Sequence, residues 1–259
     1  MRISADDAKI KRNALISRAI IIGSLVVIGA LFVLSLPGTN FLTRDPDTFQ
    51  IIYIGMIALM VIVFFVSRVG LVYANRYLSP FRPERVLREG LKGLDRKFAL
   101  MIFRKPVDYY LLDPGGVTVF ICRGQRGLAT FKEGKWKRSG GGLSAFFASE
   151  EPLGDPFVDA TEAMARVNAV LAEKAPSLKV PIQAVVVFTH AEAKLDIEPS
   201  PIAVLRPGEL KDYLRGWVGR LLATPAFHEA LPGHLPGDSA SQARLPDLED
   251  KLRLLAKLD

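Results

Sequence analysis

Residues 106–127, PVDYYLLDPGGVTVFICRGQRG, decide the fold reading, because two apolar runs flank an Asp-Pro-Gly-Gly turn at 113–116. The first run opens on the acid Asp108, and the second, residues 117–122, ends on Arg123. Short apolar runs bounded by Pro and Gly read as a β-hairpin with a buried face.

Downstream, residues 127–131 and 135–138 read as two further strands around a Glu133-Gly134 turn. Residues 139–156 are rich in Gly and small side chains and read as a loop with a helical turn at 143–148. Residues 157–173 form a helix pattern, with Val158, Ala163, Met164, Val167, Val170 and Leu171 available to pack on a sheet. PIQAVVVFT, residues 181–189, is a continuous apolar run, the mark of a central strand covered on both faces. A short strand at 202–205 precedes the breaker pair Pro207-Gly208, and an amphipathic helix at 209–222 follows it. Upstream, helical spacing of Leu87, Leu91, Leu94, Phe98, Met101 and Ile102 predicts a helix over 84–103. Its cations suit anionic lipid headgroups. The tail holds a Pro/Gly/Ser linker at 231–242 and a leucine-striped helix at 247–258, suited to docking on the domain or on a protein partner. These elements predict an α/β fold, a mixed sheet flanked by helices.

Ahead of this body lie two uncharged runs, residues 19–36 and 51–66, the second extending over 50–67. Each approaches the roughly 20 residues that a spanning helix needs. A second run close behind the first, with no Ala-x-Ala-like site between them, favours a transmembrane helical hairpin over a cleaved leader. Arg2, Lys9, Lys11, Arg12 and Arg18 precede it and Arg68, Arg76, Arg82, Arg85 and Arg88 follow, while the connecting loop has only Arg44 with Asp45 and Asp47. The positive-inside rule then predicts a multi-pass protein of the inner (cytoplasmic) membrane with both termini cytoplasmic. Neither run carries a charged side chain, so the hairpin reads as an anchor in the lipid bilayer, not a transport path. The expected domains are 1–79 (cytoplasmic stub and hairpin), 80–230 (cytoplasmic body) and 231–259 (linker and helix).

Of 259 residues 24% are charged, and the net charge is +7. Residues 80–259 hold 26 Lys/Arg against 23 Asp/Glu, so charge alone does not point the body at nucleic acid. The single cysteine, Cys122, forms no internal disulfide and reads as a buried strand residue in a reducing compartment. His190, His228 and His234 are too scattered for a metal motif, and the Gly cluster at 140–142 lacks a Walker lysine.

Residues 84–195 resemble the NERD (nuclease-related) domain, a branch of the PD-(D/E)XK nuclease superfamily. Val107-Asp108-Tyr109 stands where that family has Ile-Asp-His, and residues 116–120 where its Gly-x-x-x-Ile-Glu-x-Lys strand begins. Residues 155–159, DPFVD, stand at its Asn-Pro-x-x-Gln helix start, and residues 184–189 at its following apolar strand. The resemblance implies a PD-(D/E)XK-like mixed sheet, with two carboxylates holding Mg²⁺ and a lysine beside the attacking water. Here the pattern departs. Thirteen residues after Asp108, Ile121 occupies the Glu position, Arg123 replaces the Lys, and Gly93-Leu94 replaces Gly-Glu. Arginine, always protonated, is unsuited to giving up a proton.

The expected function is therefore a membrane-anchored, nuclease-inactive module that binds nucleic acid or acts as a scaffold, with no cofactor. Arg123, Arg126, Lys132, Lys135, Lys137 and Arg138, with Trp136 among them, are the expected nucleic-acid contacts, through phosphate attraction and base stacking. Strand alternation offers another reading, with Phe131 and Trp136 facing a core while the lysines face water. Two alternatives remain open: a divergent Mg²⁺-dependent nuclease using Asp108 and Asp159 as catalytic carboxylates, and a membrane-complex subunit with no nucleic-acid role.

Overall fold

A computed structural model describes residues 1–35, 46–113, 115–139, 151–176 and 180–222. Its described residues divide into a helical unit within 8–80 and an α/β unit within 1–7, 81–139 and 152–222.

The helical unit is a pair of long helices, α1 (Asp7–Leu34) and α2 (Pro46–Tyr77). In each, a stretch of 28 residues is long and apolar enough to cross a membrane. At 1.5 Å per residue this is about 42 Å, the thickness of a bilayer including its headgroups. The helices meet along seams of heptad spacing, with Ser17, Ser24 and Leu31 buried on α1 and Val63, Gly70 and Tyr77 on α2. Small residues set the approach. The Ser17 hydroxyl donates to the Gly70 carbonyl at 3.0 Å, and a Cβ at position 70 would stand 2.7 Å from Ile20 Cγ2. The outward faces remain apolar, with Leu25, Val26, Ile54 and Ile62 all more than half exposed.

In the α/β unit the strands are β1 (Arg2–Ala5), β2 (Ala99–Ile102), β3 (Tyr109–Asp113), β4 (Gly116–Arg123), β5 (Gly127–Lys132), β6 (Lys135–Ser139), β7 (Ile182–Phe188), β8 (Ala193–Ile197) and β9 (Ala203–Leu205). Helices α3 (Pro83–Gly90), α4 (Pro156–Lys174) and α5 (Leu210–Leu222) join them. A six-stranded sheet runs β1-β2-β3-β4-β7-β9, and a three-stranded sheet runs β6-β5-β8. In the large sheet β2, β3 and β4 form an antiparallel meander, and β7 lies parallel to β4 in register from Val117↔Ile182 to Arg123↔Phe188. The architecture is thus a mixed sheet flanked by helices, as expected, and β7 is an interior strand, one in from the β9 edge.

Helix α4 starts where its sequence says it should. Asp155 Oδ1 accepts from the Phe157 and Val158 amides at 3.0 and 3.3 Å, and Pro156 opens the first turn. Ala160, Ala163, Val167 and Leu171 then recur every three or four residues and bury against Val117, Val119, Tyr110 and Leu112. The other face of the sheet buries Leu100, Ile102, Leu111, Val185 and Val187, and Leu87, Leu91, Leu210 and Leu214 are fully buried on the flanking segments.

Two expectations change, and one strand was not anticipated. The helix expected over 84–103 ends at Gly90, and residues 99–102 are strand β2, because pairing with β1 on one side and β3 on the other outweighs helical spacing. The N-terminal stub is not a stub: Arg2–Ala5 pairs in parallel with Ala99–Ile102 and belongs to the large sheet. Strand β8 was not legible, since AKLDI alternates charge with half-buried apolar side chains among turn residues. The helical turn at 143–148, the linker at 231–242 and the leucine-striped helix at 247–258 lie outside the described residues.

Gly116 is the tightest point of the hairpin that opened the sequence reading. Its φ is +152°, and a Cβ there would lie 2.1 Å from the Pro181 carbonyl oxygen, which accepts the Val117 amide at 2.9 Å. Gly116→Ala is expected to destabilise the α/β unit by roughly 2–4 kcal/mol through strain and lost β4–β7 pairing. Urea unfolding in micelles, followed by the fluorescence of Trp136 and Trp217, measures it; an unchanged midpoint would refute the assignment.

Candidate functional site at the carboxyl end of strand β4

Arg123 closes β4, and Asp159 stands in the first turn of α4. Odd-numbered residues of β4 face α4, as the packing of Val117 and Val119 on Ala160 and Ala163 shows, so Arg123 points toward that helix. Its guanidinium forms an ion pair with the Asp159 carboxylate, the arginine mostly buried and the aspartate half exposed. Asp159 also sits favourably for the helix dipole.

Asp108 lies just ahead of β3, in a connection closed by a hydrogen bond from the Phe103 amide to the Asp108 carbonyl. Tyr110 and Leu112 pack on the α4 side, and Val107, on the other side of Asp108 in the chain, packs in the same cluster, so strand alternation does not run through position 108. The β3–β4 register, continued two pairs past Tyr110↔Val119, brings position 108 opposite Ile121. Strand order thus brings Asp108, Ile121, Arg123 and Asp159 to one end of the sheet, with Ile121 and Arg123 on the face that α4 covers. Ile121 is half-buried, packed against both apolar clusters.

A hard divalent cation wants several oxygen ligands with negative charge. This corner offers a carboxylate at Asp108, an apolar side chain at Ile121, and a second carboxylate already bound to a guanidinium. These residues do not fit a Mg²⁺ site, and among the described residues no group of three or more His, Cys, Asp or Glu could hold a metal ion.

The expected nucleic-acid contacts separate onto two faces. Phe131 and Trp136 are register partners with ring centroids 5.2 Å apart, and both pack on Phe157 at 4.7 and 5.0 Å. Trp136 also meets Phe188 at 6.1 Å, so its ring belongs to the aromatic core between the small sheet and α4. The opposite face of the small sheet carries Lys132, Lys135 and Lys137, with Lys194 from β8 brought beside Leu128 by the register. Lys132 pairs with Asp196 at 2.8 Å, whereas Lys135, Lys137 and Lys194 are exposed without an ion pair among the described residues. The Arg138 Nε donates to the Arg126 carbonyl at 2.9 Å, which fixes it along the sheet edge. Arg126 is exposed. Lys194 was missed because β8 was missed.

A polar chain on the other face of the large sheet also escaped the sequence reading. Tyr213 of α5 donates to Gln183 Oε1 at 3.3 Å, Gln183 Nε2 to Thr118 Oγ1 at 2.8 Å, and Thr118 to Asp113 Oδ2 at 3.0 Å. The Gly115 amide donates to Asp113 Oδ1 at 2.8 Å. Thr118 and Gln183 are register partners, both buried. Their signal was a polar residue at facing positions of two otherwise apolar strands. Burial pushes the Asp113 carboxyl up to about 6, against the opposing pull of hydrogen bonds from Gly115, Thr118 and Gly116.

No protein-family model, curated protein or solved structure matches this chain.

The Asp113 shift sets a pH dependence with a definite sign. Between about pH 4 and pH 6 the folded chain holds a proton that the unfolded chain has released, so stability falls as pH rises through that window. The full effect is about 3 kcal/mol, at 1.36 kcal/mol per unit. Asp113→Asn can reverse the chain, its amide donating to Thr118, Thr118 to Gln183 and Gln183 to Tyr213. Urea unfolding at pH 4.5 and 7 is expected to show a smaller pH difference in Asp113→Asn than in the parent; equal differences would remove Asp113 as the cause.

Proposed function

We propose that the chain is a membrane-anchored α/β module on the plan of a NERD domain whose nuclease site has degenerated, serving to bind nucleic acid or to scaffold at the cytoplasmic membrane face. The Arg123–Asp159 ion pair carries this reading. Where the resemblance implies a second carboxylate and a lysine around Mg²⁺, Ile121 supplies no ligand, and the arginine neutralises the nearest alternative, Asp159. The element order supports the same plan: helix α3, the β2-β3-β4 meander, helix α4, then β7 parallel to β4.

The anchor reading draws support from connectivity. Strand β1 precedes α1 and pairs with β2, which follows α2, so both ends of the helical pair enter one folded unit. A hairpin inserted this way crosses the bilayer twice and returns to the side it left. The excess of cations at those ends supports the cytoplasm as that side.

For nucleic acid, the exposed lysines of the small sheet are the phosphate contacts and Trp136 contributes through the core, not by base stacking. The test uses the full chain in phosphatidylcholine nanodiscs, because a fragment starting at residue 80 would lack β1. Fluorescence anisotropy with a labelled single-stranded oligonucleotide is expected to show salt-sensitive binding. Lys135→Gln with Lys137→Gln is expected to lower the log–log salt slope by about 1.4, at about 0.7 per cation. No cleavage is expected with Mg²⁺ or Mn²⁺. Cleavage that Asp108→Ala abolishes would replace this reading with the divergent nuclease. An absence of binding at low salt, with a protein captured by cross-linking in membranes, would replace it with the membrane-complex subunit.

A further inference from the structure

The juxtamembrane ends of α1 and α2 have a composition that neither water nor hydrocarbon suits. From Ala8 to Arg18 the chain carries Lys9, Lys11, Arg12 and Arg18 and no acid, and from Ser67 to Tyr77 it carries Arg68 and Arg76 and no acid. Yet Leu15 is 66% exposed and Val69 52%, and Ile16 and Tyr73 are exposed as well. Lys11, Leu15 and Arg18 share one helix face at i, i+4 and i+7, and Arg12 and Ile16 lie on the next. Water would leave these apolar side chains uncovered, and hydrocarbon would strand the cations, which cost several kcal/mol each in its centre. The headgroup layer accommodates both: acyl chain ends cover the leucine and isoleucine, and the long cationic side chains reach outward to phosphate.

The dimensions agree. Lys11 to Arg18 spans about 10 Å along the helix axis. The headgroup region of one leaflet is roughly 5–8 Å thick, and flexible Lys and Arg stems make up the difference. Lys11, Arg12 and Arg18 are exposed, and among the described residues none of the three has an ion pair. By contrast, on α3 Arg85 pairs with Glu89 at 2.8 Å and Arg88 with Glu84 at 3.0 Å, so that helix has its charge balanced within the protein.

We propose that Lys11, Arg12 and Arg18 form a binding site for anionic phospholipid headgroups at the end of the hairpin that joins the α/β unit. The site selects lipid by charge, and it extends the anchor reading from a passive span to a preference for anionic membrane.

The full chain is reconstituted in nanodiscs of phosphatidylcholine alone or with about one quarter phosphatidylglycerol. Lipids that remain bound after transfer to mild detergent are counted by native mass spectrometry. Phosphatidylglycerol is expected to be retained well above its share of the disc. Each of Lys11→Gln, Arg12→Gln and Arg18→Gln is expected to cut that preference by about fivefold, the effect of one cation near an anionic surface. The charge-preserving pair Lys11→Arg with Arg18→Lys is expected to keep it, and tryptophan fluorescence shows that each variant remains folded. Retention in proportion to disc composition, loss of preference in the charge-preserving pair, or full displacement by inorganic phosphate alone would overturn the proposal. A chain that enters discs of neither composition would overturn the anchor reading with it, whereas entry without preference overturns the lipid site alone.

Discussion

The parallel pairing of β4 with β7 is the constraint on which the rest of the α/β unit depends. Seven residue pairs, Val117↔Ile182 through Arg123↔Phe188, hold two strands that approach from distant parts of the sequence. A parallel pair needs a crossover, and α4 supplies it, burying Ala160, Ala163, Val167 and Leu171 on one face. At one end the pairing forces the backbone contact that only glycine at 116 allows. In the middle it sets Thr118 beside Gln183, so a polar chain can run from Asp113 to Tyr213 through an otherwise apolar interior. At the far end it sets Arg123 against the start of α4, where Asp159 meets it. Each of these features is a consequence of one register.

A second constraint comes from order along the chain. Strand β1 is made before the hairpin and β2 after it, yet the two pair from Arg2↔Ala99 to Ala5↔Ile102. The helical unit is therefore an insertion within the α/β unit. The edge strand β1 and its partner β2 are thus separated in sequence by the whole helical pair.

The candidate site was legible in its residues and not in its relations. Asp108, Ile121 and Arg123 stood out because the resemblance supplied a pattern against which a missing Glu and a substituted Lys could be seen. Sequence spacing could not tell that Asp159, thirty-six residues after Arg123, would neutralise it; that needed the facing of β4 and the start point of α4. The cations of residues 123–138 looked like one cluster. Strand alternation, one of the two readings open in the sequence, splits them: Trp136 enters the aromatic core with Phe131, Phe157 and Phe188, while Lys135 and Lys137 face outward, and only the tertiary structure adds Lys194 beside them.

What the sequence determined by itself were the features governed by local physics. These are the two apolar helices, the hairpin around residues 113–116, the helix over 157–173 and the largely apolar strand β7. Each follows from composition and short-range periodicity. Only the tertiary structure decided that residues 99–102 are a strand rather than the end of a helix, and that Arg2–Ala5 joins the sheet. It alone brought Arg123 to Asp159, and Thr118 to Gln183. Those outcomes rest on hydrogen bonds and ion pairs between segments far apart in the chain, whose partners no local pattern names.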